Sequence, residues 1–234
     1  MSAGGGATAD DVVAALNDGR SDLALVNIRK RLAPGEEAIG MRMGDLFATA
    51  KTHADLSLDE VNRLLDHPAY ESRMAAMCIL DFKARRRIDD ERRGELFDVY
   101  LVRHDRITTW DMVDRAAPRV VGGYLAGRSA APLYDLASAP EPLKRRTATT
   151  APLFFVRYGT DADLAAGFAV AGILADDDEP VVSNAVGIFL KHAGTRDPDA
   201  LHRFLATHAV GMRRPALRLA VDKLAPADRS RYLS

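Results

Sequence analysis

The feature that most constrains this chain is a short motif recurring at the spacing of a helix pair. A basic residue followed by small ones appears as Arg73-Met74-Ala75-Ala76, Arg115-Ala116-Ala117, Arg146-Thr147-Ala148 and Arg214-Pro215-Ala216. Asn184-Ala185-Val186-Gly187 takes the same place with the charge lost. The intervals are irregular, about 30 to 42 residues, which suits two helices and their turns. Small residues let helices approach closely, and a regularly placed arginine lines one edge of a stack. Each pair then buries its apolar face on its neighbours, so the pattern predicts an all-α solenoid of about six stacked antiparallel pairs with a concave face. A globular helical bundle is the alternative.

Local signals agree with helices throughout, and strand-like alternation is nearly absent. Ser57-Leu58-Asp59-Glu60 reads as a capping box opening a helix over 58–66, with Pro68 beyond its end. Residues 70–82 place apolar side chains on a broad face at helical spacing. Asp89-Asp90-Glu91 puts acids where a helix dipole favours them. Thr108 or Thr109 caps a helix from Trp110 to about Tyr124, which Gly127 can close. Further helices are expected near 131–138, 141–158, 161–175, 180–193, 198–208, 214–224 and 226–232. Pro142, Pro180 and Pro215 fall near starts, whereas Pro118 and Pro152 lie inside helical patterns and should kink them. The expected organisation is a flexible segment over 1–8 and one repeat domain over 9–234. With 234 residues and 47% hydrophobic content, the chain can bury a continuous core and is not disordered.

Several chemistries are excluded by what the chain lacks. The single cysteine, Cys78, rules out an internal disulfide and a Cys-rich zinc site, and its apolar neighbours predict a buried, inert thiol. None of the six histidines forms an i, i+4 pair, so no metal site is expected. Asp176-Asp177-Asp178-Glu179 reads as a solvated loop capping the helix after Pro180. Gly122-Gly123-Tyr124-Leu125-Ala126-Gly127-Arg128-Ser129 approaches the phosphate-loop spacing, but a helical stretch precedes it where a buried strand is required; these glycines are expected to end a helix. No apolar run is long enough for a membrane span and no secretory leader opens the chain, so the expected location is the cytoplasm. The net charge of −1 advertises no polyanion partner, so a nucleic-acid binder of this composition must segregate its charges onto faces.

The strongest chemical constellation is Trp110-Asp111-Met112-Val113-Asp114. On a helix, Trp110 and Asp114 share one face, and the only indole beside a carboxylate can cradle a cationic group. The same pattern also suits a core tryptophan and an aspartate paired with a repeat arginine. Lys144-Arg145-Arg146 supplies three consecutive cations, a solvated face or a set of phosphate contacts.

Trp110-Asp111-x-Val113-Asp114 followed by Pro118, then Arg145-Arg146-x-Ala148, resembles the DNA alkylation repair family of HEAT-like glycosylases. Met41-Arg42-Met43-Gly44-Asp45-Leu46, expected in an early loop, and Tyr70-Glu71-x-Arg73, opening a later helix, match it too, so the likeness runs from about residue 20 to 225. The resemblance implies a HEAT-like superhelix that grips duplex DNA and hydrolyses the N-glycosidic bond of cationic N3- or N7-alkylated purines. It implies catalytic roles for Asp114 and Trp110, with Arg146 at the lesion's backbone. Lys144, Arg145, Arg73, Arg115 and Arg214 become the expected DNA contacts. No cofactor and no metal is implied, and the expected state is a monomer. Two departures stand out: Leu143 and Ile188 occupy positions where active members carry tryptophan, with Phe189 or Tyr158 as possible replacements. The rival expectations are a non-catalytic binder of bent or branched DNA and a scaffold for an acidic protein partner.

Overall fold

A computed structural model describes residues 6–234. Met1–Gly5, most of the segment expected to be flexible, lies outside the described residues, while Thr8 caps the first helix. The fold is all-helical; among the described residues extended pairing is limited to the isolated bridges Arg20–Met41 and Glu37–Ala69. The chain gathers into two compact units, one running to Ala116 and the other from Ala117.

The first unit holds α1 (Ala9–Asp18), α2 (Asp22–Arg29), α3 (Met43–Thr52), α4 (Leu58–Asp66), α5 (Tyr70–Ala84), α6 (Asp90–Val102) and nearly all of α7 (Trp110–Ala117). Its centre is α5, which packs against α1, α3, α4 and α6 and is buried almost throughout its length. Cys78 lies within it, and burial pushes the thiol up to about 12, against the pull of nearby Arg115. The polar residues of α5 point into specific partners. The Glu71 carboxylate accepts the backbone N–H groups of Ile39 (2.8 Å) and Gly40 (2.7 Å), fixing the loop in which Gly40 adopts φ 99°. Met41 in that loop is buried against Gly19, and Arg42 pairs with Asp45 at 2.7 Å.

The second unit opens with a π-helical turn over Pro118–Gly122 and continues through α8 (Gly123–Leu125), α9 (Ala131–Ala137), α10 (Pro142–Thr150), α11 (Leu153–Tyr158) and α12 (Asp161–Ile173). It ends with α13 (Pro180–Arg196), α14 (Pro198–His208), α15 (Arg214–Ala220) and α16 (Pro226–Leu233). Its central helix, α13, packs against α10, α11, α12, α14 and α15.

Three local expectations change. The Ser57 cap is one-sided: its hydroxyl accepts from Glu60 N–H at 3.3 Å, but the Glu60 carboxylate turns to Ala9 N–H (2.6 Å) and Arg63 instead. Reciprocal capping boxes occur at Thr8–Asp11 and Thr160–Asp163. The kink expected at Pro118 takes the form of a turn widened into π geometry, which accommodates a ring that lacks an N–H and would clash in an α-turn. Gly122 and Gly123 are helical rather than terminal, and a Cβ on Gly122 would lie 2.1 Å from the Ala151 carbonyl oxygen. Gly127, at φ 74°, does close the stretch. No helix among the described residues is long and apolar enough to cross a membrane.

Candidate active site

Helix α7 presents two side-chain pairs at i, i+4, rotated about 100° from one another by the helical twist. One pair, Asp111 and Arg115, is tied to α5. Asp111 Oδ2 accepts the Tyr70 hydroxyl at 2.7 Å and faces the Arg31 guanidinium at 3.5 Å. Burial, followed by the Asp111 charge, pushes the Tyr70 phenol well above its usual range, so it stays a neutral donor. Four residues on, Arg115 meets Asp81 Oδ2 at 2.9 Å, and Arg85 meets the same oxygen at 2.8 Å. The Arg115 guanidinium lies 4.6 Å from the Phe47 ring centroid and 4.8 Å from that of Phe82. Met112 and Val113 add fully buried apolar contacts.

The other pair is Trp110 and Asp114. Trp110 is 49% exposed, which removes the core-tryptophan alternative, and Asp114 is half-buried one turn later. The inner pair thus sets the rotation of α7, and with it the direction in which the indole and the carboxylate project. A π face beside a fixed negative charge is suited to a cationic sugar or base edge.

The remaining expected site residues are held by protein partners. Arg73 is buried; its guanidinium donates to the carbonyls of His67 (3.1 Å) and Pro68 (2.6 Å) and pairs with Glu36. Arg145 repeats that geometry, donating to Ala139 O (3.0 Å) and Pro140 O (2.7 Å) and pairing with Asp177 at 2.6 Å. Both arginines reach the carbonyls five and six residues earlier, so the repeat register aligns Arg73 with Arg145, one residue before the Arg146 that the motif suggested. Asp177, from the acidic run, is therefore a structural partner rather than a solvated loop residue. Arg146 is also buried, donating to the Val181 carbonyl. Arg214 reaches the Tyr232 and Leu233 carbonyls, and Lys144 pairs with Glu141 at 2.9 Å. Leu143 and Ile188 are half-buried, Phe189 is wholly buried in the core, and Tyr158 is exposed.

The tie between Tyr70 and Asp111 is a part of the site that sequence reasoning missed. Both residues stand in the motifs that carry the family resemblance, but no spacing rule connects positions 41 residues apart.

Residues 12–224 match the family described as DNA alkylation repair enzyme. Among solved structures, the chain is similar to a predicted DNA alkylation repair enzyme from Enterococcus faecalis, with a TM-score of 0.63 at 14% identity, covering 88% of this chain and 97% of that one. That likeness shows a shared helical repeat fold. No curated protein matches the chain. Its match over almost the entire length places this protein in the DNA alkylation repair enzyme family.

Proposed function

We propose that this protein is a DNA glycosylase that hydrolyses the N-glycosidic bond of cationic N3- and N7-alkylated purines in duplex DNA. The observation that carries the reading is the half-exposed Trp110 one turn before Asp114, on a helix whose neighbouring pair, Asp111 and Arg115, is anchored. An alkylated purine already carries positive charge, so it departs with the C1′–N bonding electrons as a neutral base. The sugar left behind is oxocarbenium-like. Asp114 stabilises that charge and orients water, whose oxygen bonds to C1′ as a proton is released. Trp110 offers its π face to the cationic sugar edge. Water and a carboxylate suffice for this step, and no cofactor is needed. Lys144 and Arg214 contact phosphate in this reading, while Arg73, Arg115, Arg145 and the buried Arg146 serve DNA indirectly by holding helices in place. The protein acts as a monomer at the nucleoid.

The test is release of 7-methylguanine from a duplex. Asp114→Asn should slow release by about a hundredfold or more, the scale of losing one preorganised electrostatic stabiliser, and leave DNA affinity nearly intact. Trp110→Ala should lower both affinity and rate while barely moving the melting temperature, because the ring is half-exposed. A wild-type protein that binds duplex but releases no base would favour a non-catalytic DNA-binding role. An Asp114→Asn protein that releases base at the wild-type rate removes Asp114 from the reaction.

A further inference from the structure

The second unit carries an exposed patch in which arginines and aromatic rings alternate. Phe154 and Tyr158, one turn apart on α11, have ring centroids 4.8 Å apart at an interplanar angle of 40°. Tyr158 is 53% exposed, and the Arg157 guanidinium lies over its ring, 5.3 Å from the centroid. On the facing segment, Gly123 packs against the Phe154 ring, where a Cβ would stand 3.5 Å away. The next residue, Tyr124, has the Arg128 guanidinium 4.6 Å from its own ring centroid. Arg128 and Arg157 are both exposed.

Two Tyr–Arg pairs thus flank one supporting phenylalanine. Aromatic faces stack on nucleobases whatever their identity, and guanidinium groups meet the intervening phosphates. A base settling on the Tyr158 ring in place of the Arg157 guanidinium would leave that cation next to the adjoining phosphate. Bases in an intact duplex are stacked on one another and offer no faces, so this chemistry selects unpaired nucleotides. Membership of a DNA repair family makes DNA the relevant polymer. We propose that the patch built by Tyr124, Arg128, Phe154, Arg157 and Tyr158 binds unpaired nucleotides of single-stranded DNA. The proposal is separate from the chemistry assigned to Asp114 and stands or falls without it.

The experiment is fluorescence anisotropy with a labelled short oligothymidylate and, in parallel, a fully paired duplex of the same length. Tyr158→Ala should weaken oligothymidylate binding by about fivefold or more, the lower end of what one stacked base contributes. Duplex binding should be unchanged, and Tyr158→Phe should retain the wild-type affinity because the stacking face survives. Arg157→Gln should flatten the salt dependence of oligothymidylate binding alone. Failure of the wild-type protein to bind oligothymidylate overturns the proposal. So does a Tyr158→Ala loss that is absent, or equal on both probes, in protein whose melting temperature is unaltered.

Discussion

At the scale of single residues, the polar side chains buried behind α7 matter most. Asp81 is 1% exposed and receives both Arg85 and Arg115, the latter lodged between Phe47 and Phe82. Asp81→Asn keeps the shape but leaves the half-buried Arg115 guanidinium without its counter-charge, which should cost about 3 kcal/mol. Tyr70→Phe removes one hydrogen bond to the Asp111 carboxylate and should cost about 2 kcal/mol. Urea unfolding checks both, as lower midpoints at unchanged slope. A smaller loss for Asp81→Asn than for Tyr70→Phe would contradict the ranking. Sequence patterning found Trp110 and Asp114 because i, i+4 spacing is local. It left the side of α7 that faces inward undecided, because Asp111 and Arg115 form an equally good pair one position on. The choice rests on Tyr70 and Asp81, which come from another helix.

At the scale of elements, most helices from Leu58 onward were legible where apolar spacing coincided with a cap or an opening proline. The helix expected over 58–66 is α4, residue for residue, and Pro142 and Pro180 open α10 and α13. The earlier helices α1, α2 and α3 escaped notice, although Thr8 and Ser21 cap the first two, and the stretch expected as a loop over 41–46 enters α3 at Met43. The π-helical turn was not legible, since it depends on how Pro118 and the following glycines meet α11. Here the two adjacent glycines have different tasks. A Cβ on Gly122 would strike the Ala151 backbone at 2.1 Å, and backbone cannot swing aside, so Gly122→Ala should cost about 3 kcal/mol. On Gly123 the nearest atom beyond its own helix is 3.5 Å away, an ordinary contact, so Gly123→Ala should be neutral or gain up to about 1 kcal/mol from helix propensity. Thermal melts of the two variants check the contrast. Equal melting temperatures would mean that the close approach does not constrain this turn.

Across the whole molecule, the periodic arginines foretold helix pairs correctly and for a reason other than the one the pattern suggested. Charge balance near zero demanded that cations be segregated, and a regular arginine looked like a positive edge. In Arg73 and Arg145 the guanidinium is instead a clasp: it reaches back to two carbonyls in the turn entering its own helix and takes a carboxylate from a distant segment. Such a residue recurs because each turn has unsatisfied carbonyls, and its repeat distance reports helix-pair length whether or not DNA is nearby. The two roles have different signatures in solution. Removing a direct phosphate contact lowers the slope of log affinity against log salt by about 0.9, whereas removing a clasp lowers stability and leaves that slope alone. Arg145→Gln should therefore reduce stability by about 2 kcal/mol, through loss of the Asp177 pair and two carbonyl bonds, with an unchanged salt slope for duplex DNA. Lys144→Ala, which loses only an exposed pair with Glu141, should leave the melting temperature alone and flatten the slope. Affinity must be measured well below both melting temperatures, so that unfolding does not pass for weak binding. An Arg145→Gln protein with wild-type stability and a flattened slope would make this arginine a phosphate contact after all, and would return the positive edge to the repeat.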